Sequence, residues 1–481
     1  MVGDQSGRTE PRLLRGFRDL MPDEMIARQR LISVVQDVYE LYGFVPLDTP
    51  ALEYADVLLG DYGEESNKQV YQFTVPEGDV VALRYDLTVP LARVVAQYRD
   101  LPKPFRRYQV AAVWRADKPG PGRFREFIQF DLDTVGSESM LADAEIISGM
   151  CDTLDALGVA RYRIRISNRK LLNTLVAYAG IEAGRAHDVF RVLDKLDKVG
   201  LDAVKLELTV GRVDASGDPI PGLGLEQRQV ARIEEFLALP QETRSEALDA
   251  VEDLFREVPH AAEGIEELRD IDRFLSFLSI SDAKAAIDFS VARGLDYYTG
   301  PVFEALLLDA PKFGSIFAGG RYDGLVERFL GVKMPGTGAS IGIDRLLAAL
   351  QHLGAVKMRP STASVLVTVM EPDRLAEYQA MTSELRQAGI NTELYLGTET
   401  SLRKQLQYAD RQKIPVAVIA GSEEFEAGTV SVKDLLEGVK HDIETKEREE
   451  WVRARFGQRT VPRRELVPTV NELLRAQSHQ S

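Results

Sequence analysis

The sequence predicts an α+β core interrupted by a mostly helical insertion and followed by a smaller α/β domain. Three observations carry this. Strand-like patterns occur at widely separated places, near residues 110–134, 285–306 and 336–342. Between the first two, residues 171–278 are charge-rich and follow a helical period. After Pro360, apolar strands and amphipathic helices alternate, as in a small, mostly parallel sheet covered on both faces. The divisions expected are 1–165 and 284–358 for the core, 166–283 for the insertion, 363–445 for the α/β domain and 446–481 for a C-terminal tail.

In chain order, Pro22-Asp23-Glu24 opens a helix, with acids suited to its positive end. Ile26, Leu31, Val34, Val35, Val38 and Leu41 fall mostly on one face, and Gly43 stops the helix. An extended segment broken by Pro46 and Pro50 follows. A strand ends near Arg84, and Asp86 and Thr88 begin a helix; on local grounds they could be only N-terminal caps or could serve a site. Val110–Arg115 is a strand, Ala116–Arg123 a Pro/Gly-rich loop, and Phe124–Thr134 a returning strand. Its polar residues Arg125, Gln129, Asp131 and Asp133 recur at the two-residue period, which usually marks a solvent face. In the last domain, strands are expected at 364–370, 392–396, 415–421 and 428–433.

The composition excludes several classes. Hydrophobic residues make 44% and charged residues 28% of the 481, a globular profile. No run approaches the roughly eighteen apolar residues of a membrane span. One cysteine, Cys151, allows no intrachain disulfide, and the five histidines are scattered without metal-site spacing. A net charge of −16 disfavours a general nucleic-acid binder but leaves room for a local basic groove. The expected compartment is the cytoplasm.

The densest chemistry lies in Arg293-Gly294-Leu295-Asp296-Tyr297-Tyr298-Thr299-Gly300, followed by Ala318-Gly319-Gly320-Arg321-Tyr322-Asp323-Gly324. On spacing alone, Arg293 and Asp296 could merely close a hairpin. The two segments resemble the histidine-specific signatures of the histidyl-tRNA synthetases, a class II aminoacyl-tRNA synthetase family. Tyr108–Gly136 is similar to motif 2 of that class, Gly336–Leu350 to motif 3, and the helix-strand near Pro46 and Pro50 to motif 1. Ser401–Asp410 resembles the anticodon-binding domain of a class II subgroup.

The resemblance implies a class II antiparallel sheet, a homodimer, and L-histidine, ATP with Mg²⁺, and histidine tRNA as partners. It implies catalytic arginines at Arg115 and Arg293, meeting across one phosphate. Histidine would be bound by Asp86, Thr88, Arg115, Gln129, Asp133, Arg293, Tyr297, Tyr298 and Tyr322. ATP would be bound by Arg115, Arg123 and Arg345. Arg125 and Glu126 would touch the tRNA acceptor end; Arg403 and Lys404, with Tyr408, would meet RNA in the last domain. Non-catalytic paralogues that regulate ATP phosphoribosyltransferase share the core but usually lack the last domain and degrade the first signature. This chain keeps both.

Overall fold

The computed structural model describes residues 9–60, 68–120, 122–214, 217–292, 297–436 and 457–479. The chain divides into two compact units, residues 1–19 with 28–356, and residues 20–27 with 357–481.

In the first unit the strands run, in chain order, β1 (Val45–Pro46), β2 (Leu52–Tyr54), β3 (Gln72–Thr74), β4 (Val80–Leu83), β5 (Phe105–Trp114), β6 (Glu126–Val135), β7 (Tyr162–Asn168), β8 (Gly211–Val213), β9 (Pro219–Pro221), β10 (Ala285–Ile287), β11 (Pro301–Leu307), β12 (Ser315–Arg321) and β13 (Gly336–Gly342). Eight of them form one sheet in the order β1-β5-β6-β13-β12-β11-β7-β10. Every pair from β5 through β7 is antiparallel, while β1 and β10 lie parallel at the two edges. β2, β4 and β3 make a separate small antiparallel sheet.

The two faces of β6 follow from its alternation. Phe130 packs on Tyr39, with ring centroids 5.0 Å apart. Leu132 lies under the helix Met140–Ala156, against Gly149. Gln129, Asp131 and Asp133 therefore face the other way. That polar face is buried, not the solvent side the period suggested: Asp131 and Asp133 are 1% and 2% exposed.

Residues 169–277 hold seven described α-helices and the β8–β9 hairpin. Their core includes Phe236 and Phe255, and Phe236 also packs on Phe289, just after β10. A buried charge adds a second tie. Arg165 on β7 pairs with Asp197 of the insertion at 2.6 Å and with Glu304 on β11.

Arg321, from the second signature, is 2% exposed and serves the frame of the unit. It pairs with Asp143 and donates to the carbonyls of Ser137 and Ser139 at 3.1 and 3.2 Å. Breaking one side of such a buried pair costs about 3–5 kcal/mol. Asp143→Ala is therefore expected to lower the unfolding free energy by about that much, read as a shift in urea midpoint; an unchanged midpoint would contradict the packing described.

In the second unit, β14 (Val365–Val367), β15 (Thr392–Leu394), β16 (Val416–Ile419), β17 (Thr429–Asp434) and β18 (Gln458–Pro462) form a sheet in the order β15-β14-β16-β17-β18. The first three are mutually parallel and the last two antiparallel. Tyr378, Met381 and Leu385 of one helix pack with Leu466, Val470 and Leu473 of another over one sheet face. Leu366, Ala409 and Ile414 form the core of the opposite face. The segment expected as a tail is thus corrected from 457 onward. β18 completes the sheet, and the helix Leu466–His479 fills its core. Its signal was weak because an edge strand reading Gln-Arg-Thr-Val-Pro has little apolar alternation.

Candidate active site

A cavity of about 320 Å³ opens on the polar face of β6, β11, β12 and β13. Its floor comes from β6 (Phe127, Gln129, Asp133), and one wall is the turn that carries Asp86 and Thr88 into the helix Thr88–Gln97. Tyr297, Tyr298 and Tyr322 form another wall. Arg115, Arg123 and Arg345 also line it. Residues from four distant stretches of chain are thereby brought together.

The carboxylates and phenols are closely bonded. Asp86 accepts the Val89 amide at 3.1 Å and the Tyr297 hydroxyl at 3.0 Å, so it caps the helix and also faces the cavity. The Tyr322 hydroxyl donates to Asp133 at 2.6 Å. Gln129 donates to Ser340 at 2.7 Å, while its buried carbonyl oxygen has no hydrogen-bond partner among the described residues. The Tyr297 ring meets Tyr298 and Tyr322 edge-on, at 5.0 and 6.1 Å. Burial pushes the Tyr298 and Tyr322 phenols up, reinforced by Asp133, so both stay protonated donors at neutral pH. Burial likewise raises the Asp133 carboxyl, with the Arg107 guanidinium opposing. Asp131 is pushed up to about 7, first by burial and further by Asp133, again against Arg107.

The arginines are held differently. Arg115 donates from Nε to the Tyr85 carbonyl at 3.0 Å, and its guanidinium lies 4.3 Å from the Tyr85 ring and 5.3 Å from Phe127. Among the described residues no carboxylate pairs with it. Arg123 is held by Asp117, with contacts of 2.8 and 2.5 Å. Arg345 donates to the Ser315 carbonyl at 2.7 Å. An always-charged planar fork that can hold two oxygens at once suits a phosphate or carboxylate.

Glycines make room for this. A Cβ on Gly336 would stand 2.4 Å from the Tyr322 ring, and one on Gly338 would stand 2.0 Å from Asp133 Oδ1. On β12, a Cβ on Gly320 would stand 2.8 Å from Tyr298. The Gly-x-Gly at 336–338, a weak nucleotide signal in sequence, here seats a tyrosine and an aspartate.

Arg293 lies outside the described residues, so its expected meeting with Arg115 does too. Arg125 is not among the cavity's lining: it donates to the carbonyls of Asp117 at 3.1 Å and Arg15 at 3.2 Å, pinning the 116–125 loop against Gly16. Glu126 is exposed at the start of β6. Arg403 and Lys404 are exposed on the helix Leu402–Arg411 of the second unit, Lys404 paired with Glu399 at 2.8 Å. Tyr408 is partly buried against Tyr395 and bonded to Glu393. Sequence reasoning gave no role to Arg107, Asp117 or Glu304, all at or beneath the cavity. The one available signal was Asp117, an acid at the start of a loop rich in Pro and Gly.

A six-stranded antiparallel arrangement whose cavity is lined by both carboxylates and arginines is the core of a class II aminoacyl-tRNA synthetase. The profile described as histidyl-tRNA synthetase matches residues 16–346, and that of an anticodon binding domain matches 364–455. The histidine–tRNA ligase of Bartonella henselae is 43% identical, over 99% of this chain and 100% of its own length. That of Ruegeria sp. is 45% identical over 96% of each chain. Among solved structures, a histidyl-tRNA synthetase from Nostoc sp. PCC 7120 superposes with a TM-score of 0.79 at 31% identity, covering 97% of this chain and 100% of that one. The chain belongs to the histidyl-tRNA synthetase family.

Proposed function

We propose that this chain activates L-histidine with ATP and transfers it to the 3′ end of histidine tRNA. In the first step the substrate carboxylate attacks the α-phosphorus and pyrophosphate leaves. In the second a terminal tRNA hydroxyl attacks the activated carbonyl and AMP leaves. ATP enters as its Mg²⁺ complex, as substrate. The observation that carries this reading is one cavity that joins the Asp86–Tyr297 and Asp133–Tyr322 pairs to the guanidinium of Arg115.

Asp86 and Thr88 receive the ammonium group. Gln129, Asp133, Tyr298 and Tyr322 read the side chain, whose neutral imidazole offers one donor and one acceptor. A wrong side chain leaves those buried groups unpaired, which can give on the order of 10⁴–10⁵ discrimination. Arg115 holds the carboxylate and α-phosphate; the family resemblance assigns Arg293 the same oxygens from the other side. Arg123 exchanges Asp117 for the outer phosphates, and Arg345 faces the nucleotide. Arg125 and Glu126 belong to the loop that meets the acceptor end, and Arg403 and Lys404 to the anticodon side. The active form is a cytoplasmic homodimer, for which the exposed Leu41, Val45, Leu52 and Tyr54 supply apolar surface. Among the described residues no helix is long and apolar enough to cross a membrane.

The test is pyrophosphate exchange with amino acids omitted one at a time, followed by tRNA charging. Exchange should vanish only without histidine, and histidine should appear on tRNA. Exchange indifferent to histidine, or a failure to charge, overturns the reading.

A further inference from the structure

Beneath the cavity lies a cation that no proposed step uses. Arg107, on β5, is fully buried. It sits opposite Asp133 in the β5–β6 register. Its Nη2 stands 2.8 Å from Asp133 Oδ2 and 3.8 Å from Asp131, and donates to the Leu87 carbonyl at 3.0 Å. Leu87 is the residue between Asp86 and Thr88. One nitrogen therefore ties the turn proposed to receive the ammonium group to the carboxylate proposed to read the imidazole.

The charge count gives this tie weight. Asp86, Asp131 and Asp133 are each at most 2% exposed, and Arg107 is the cation buried among them. Without it, Asp131 and Asp133 would face each other in a low-dielectric site, where like charges repel strongly. Nε and Nη1 of Arg107 have no hydrogen-bond partner among the described residues. Its bonding is thus concentrated on the Leu87 carbonyl and on the aspartates beside it.

We propose that Arg107, with Asp131 as counter-ion, is a positioning residue that sets the separation between the ammonium and imidazole subsites. It thereby selects amino acids in which those two groups are correctly spaced. Arginine suits the role, because its rigid planar group fixes Nη2 between the carboxylate and the carbonyl, whereas a lysine ammonium on a flexible stem is not so fixed. The inference rests on the histidine reading above.

Two ligands separate positioning from general support. Histidinol carries ammonium and imidazole but no carboxylate; imidazolepropionate carries imidazole and carboxylate but no ammonium. The variant Arg107→Met/Asp131→Asn removes one charge of each sign, so the net charge of the cluster is unchanged, and Asp133 keeps the Tyr322 hydroxyl. It should weaken inhibition by histidinol about tenfold more than inhibition by imidazolepropionate, with the Michaelis constant for ATP within about twofold of wild type. Should that variant fail to fold, Arg107→Lys keeps the charge and should show the same ligand-selective loss. Equal weakening of both ligands, or of neither, overturns the proposal. Asp133→Asn keeps the two failures apart. If it leaves the histidine Michaelis constant unchanged, the histidine reading itself falls. If it raises that constant while the Arg107 variants behave as wild type, only the positioning role falls.

Discussion

Arg115→Ala should slow histidine-dependent pyrophosphate exchange about 10²–10³-fold, the usual loss when one preorganised donor to a transition state is removed. The effect should fall on turnover, with thermal unfolding almost unmoved. The physical reason is that Arg115 is held in place but is not part of the frame. Its Nε is fixed by the Tyr85 carbonyl and its plane lies near Tyr85 and Phe127. Those contacts aim the outer nitrogens before substrate arrives, so little reorganisation accompanies reaction. Arg115→Lys should recover only part of the rate, because an ammonium cannot hold two oxygens in one plane. Exchange near the wild-type rate in Arg115→Ala would remove this residue from the mechanism.

Gly338→Ala is expected to be almost as damaging, although it adds a single methyl. That carbon would lie 2.0 Å from Asp133 Oδ1 and 2.7 Å from the Leu132 carbonyl. Asp133 cannot swing away freely, being held by Tyr322 and Arg107. Either the carboxylate moves or the β6–β13 pairing shifts, and a displacement near 1 Å at a reacting site can cost about 10²-fold. The histidine Michaelis constant should therefore rise far more than that for ATP. Gly184→Ala, where the added carbon meets nothing within 4 Å, serves as the neutral control. Wild-type histidine affinity in Gly338→Ala would refute the crowding described.

Much of this was readable from sequence, and the limits have physical causes. β6 announced itself through alternation, and Asp86, Arg115, Gln129, Asp133, Tyr298 and Tyr322 stood out through the family resemblance of their segments; the structure adds that all six line one cavity. Arg107 was not readable. In Phe105-Arg106-Arg107-Tyr108 two adjacent arginines look like solvated charge, and only the β5–β6 register reveals that the second meets a buried aspartate. The polar stripe on β6 misled for a related reason. Period two separates the faces of a strand without telling which is wet. Arg321 also needed coordinates, because a signature arginine beside a tyrosine gives no hint that its partner is Asp143, far earlier in the chain.

β18 has a bearing on how the protein is made. Its five residues and the helix after them are made after the other four strands of that sheet, yet the helix supplies Leu466, Val470 and Leu473 to the second unit's core. Until then β17 carries an open edge, able to pair with a neighbouring nascent chain. Truncation before residue 457 would leave that edge exposed for good, turning the loss of one strand and one helix into a seed for aggregation.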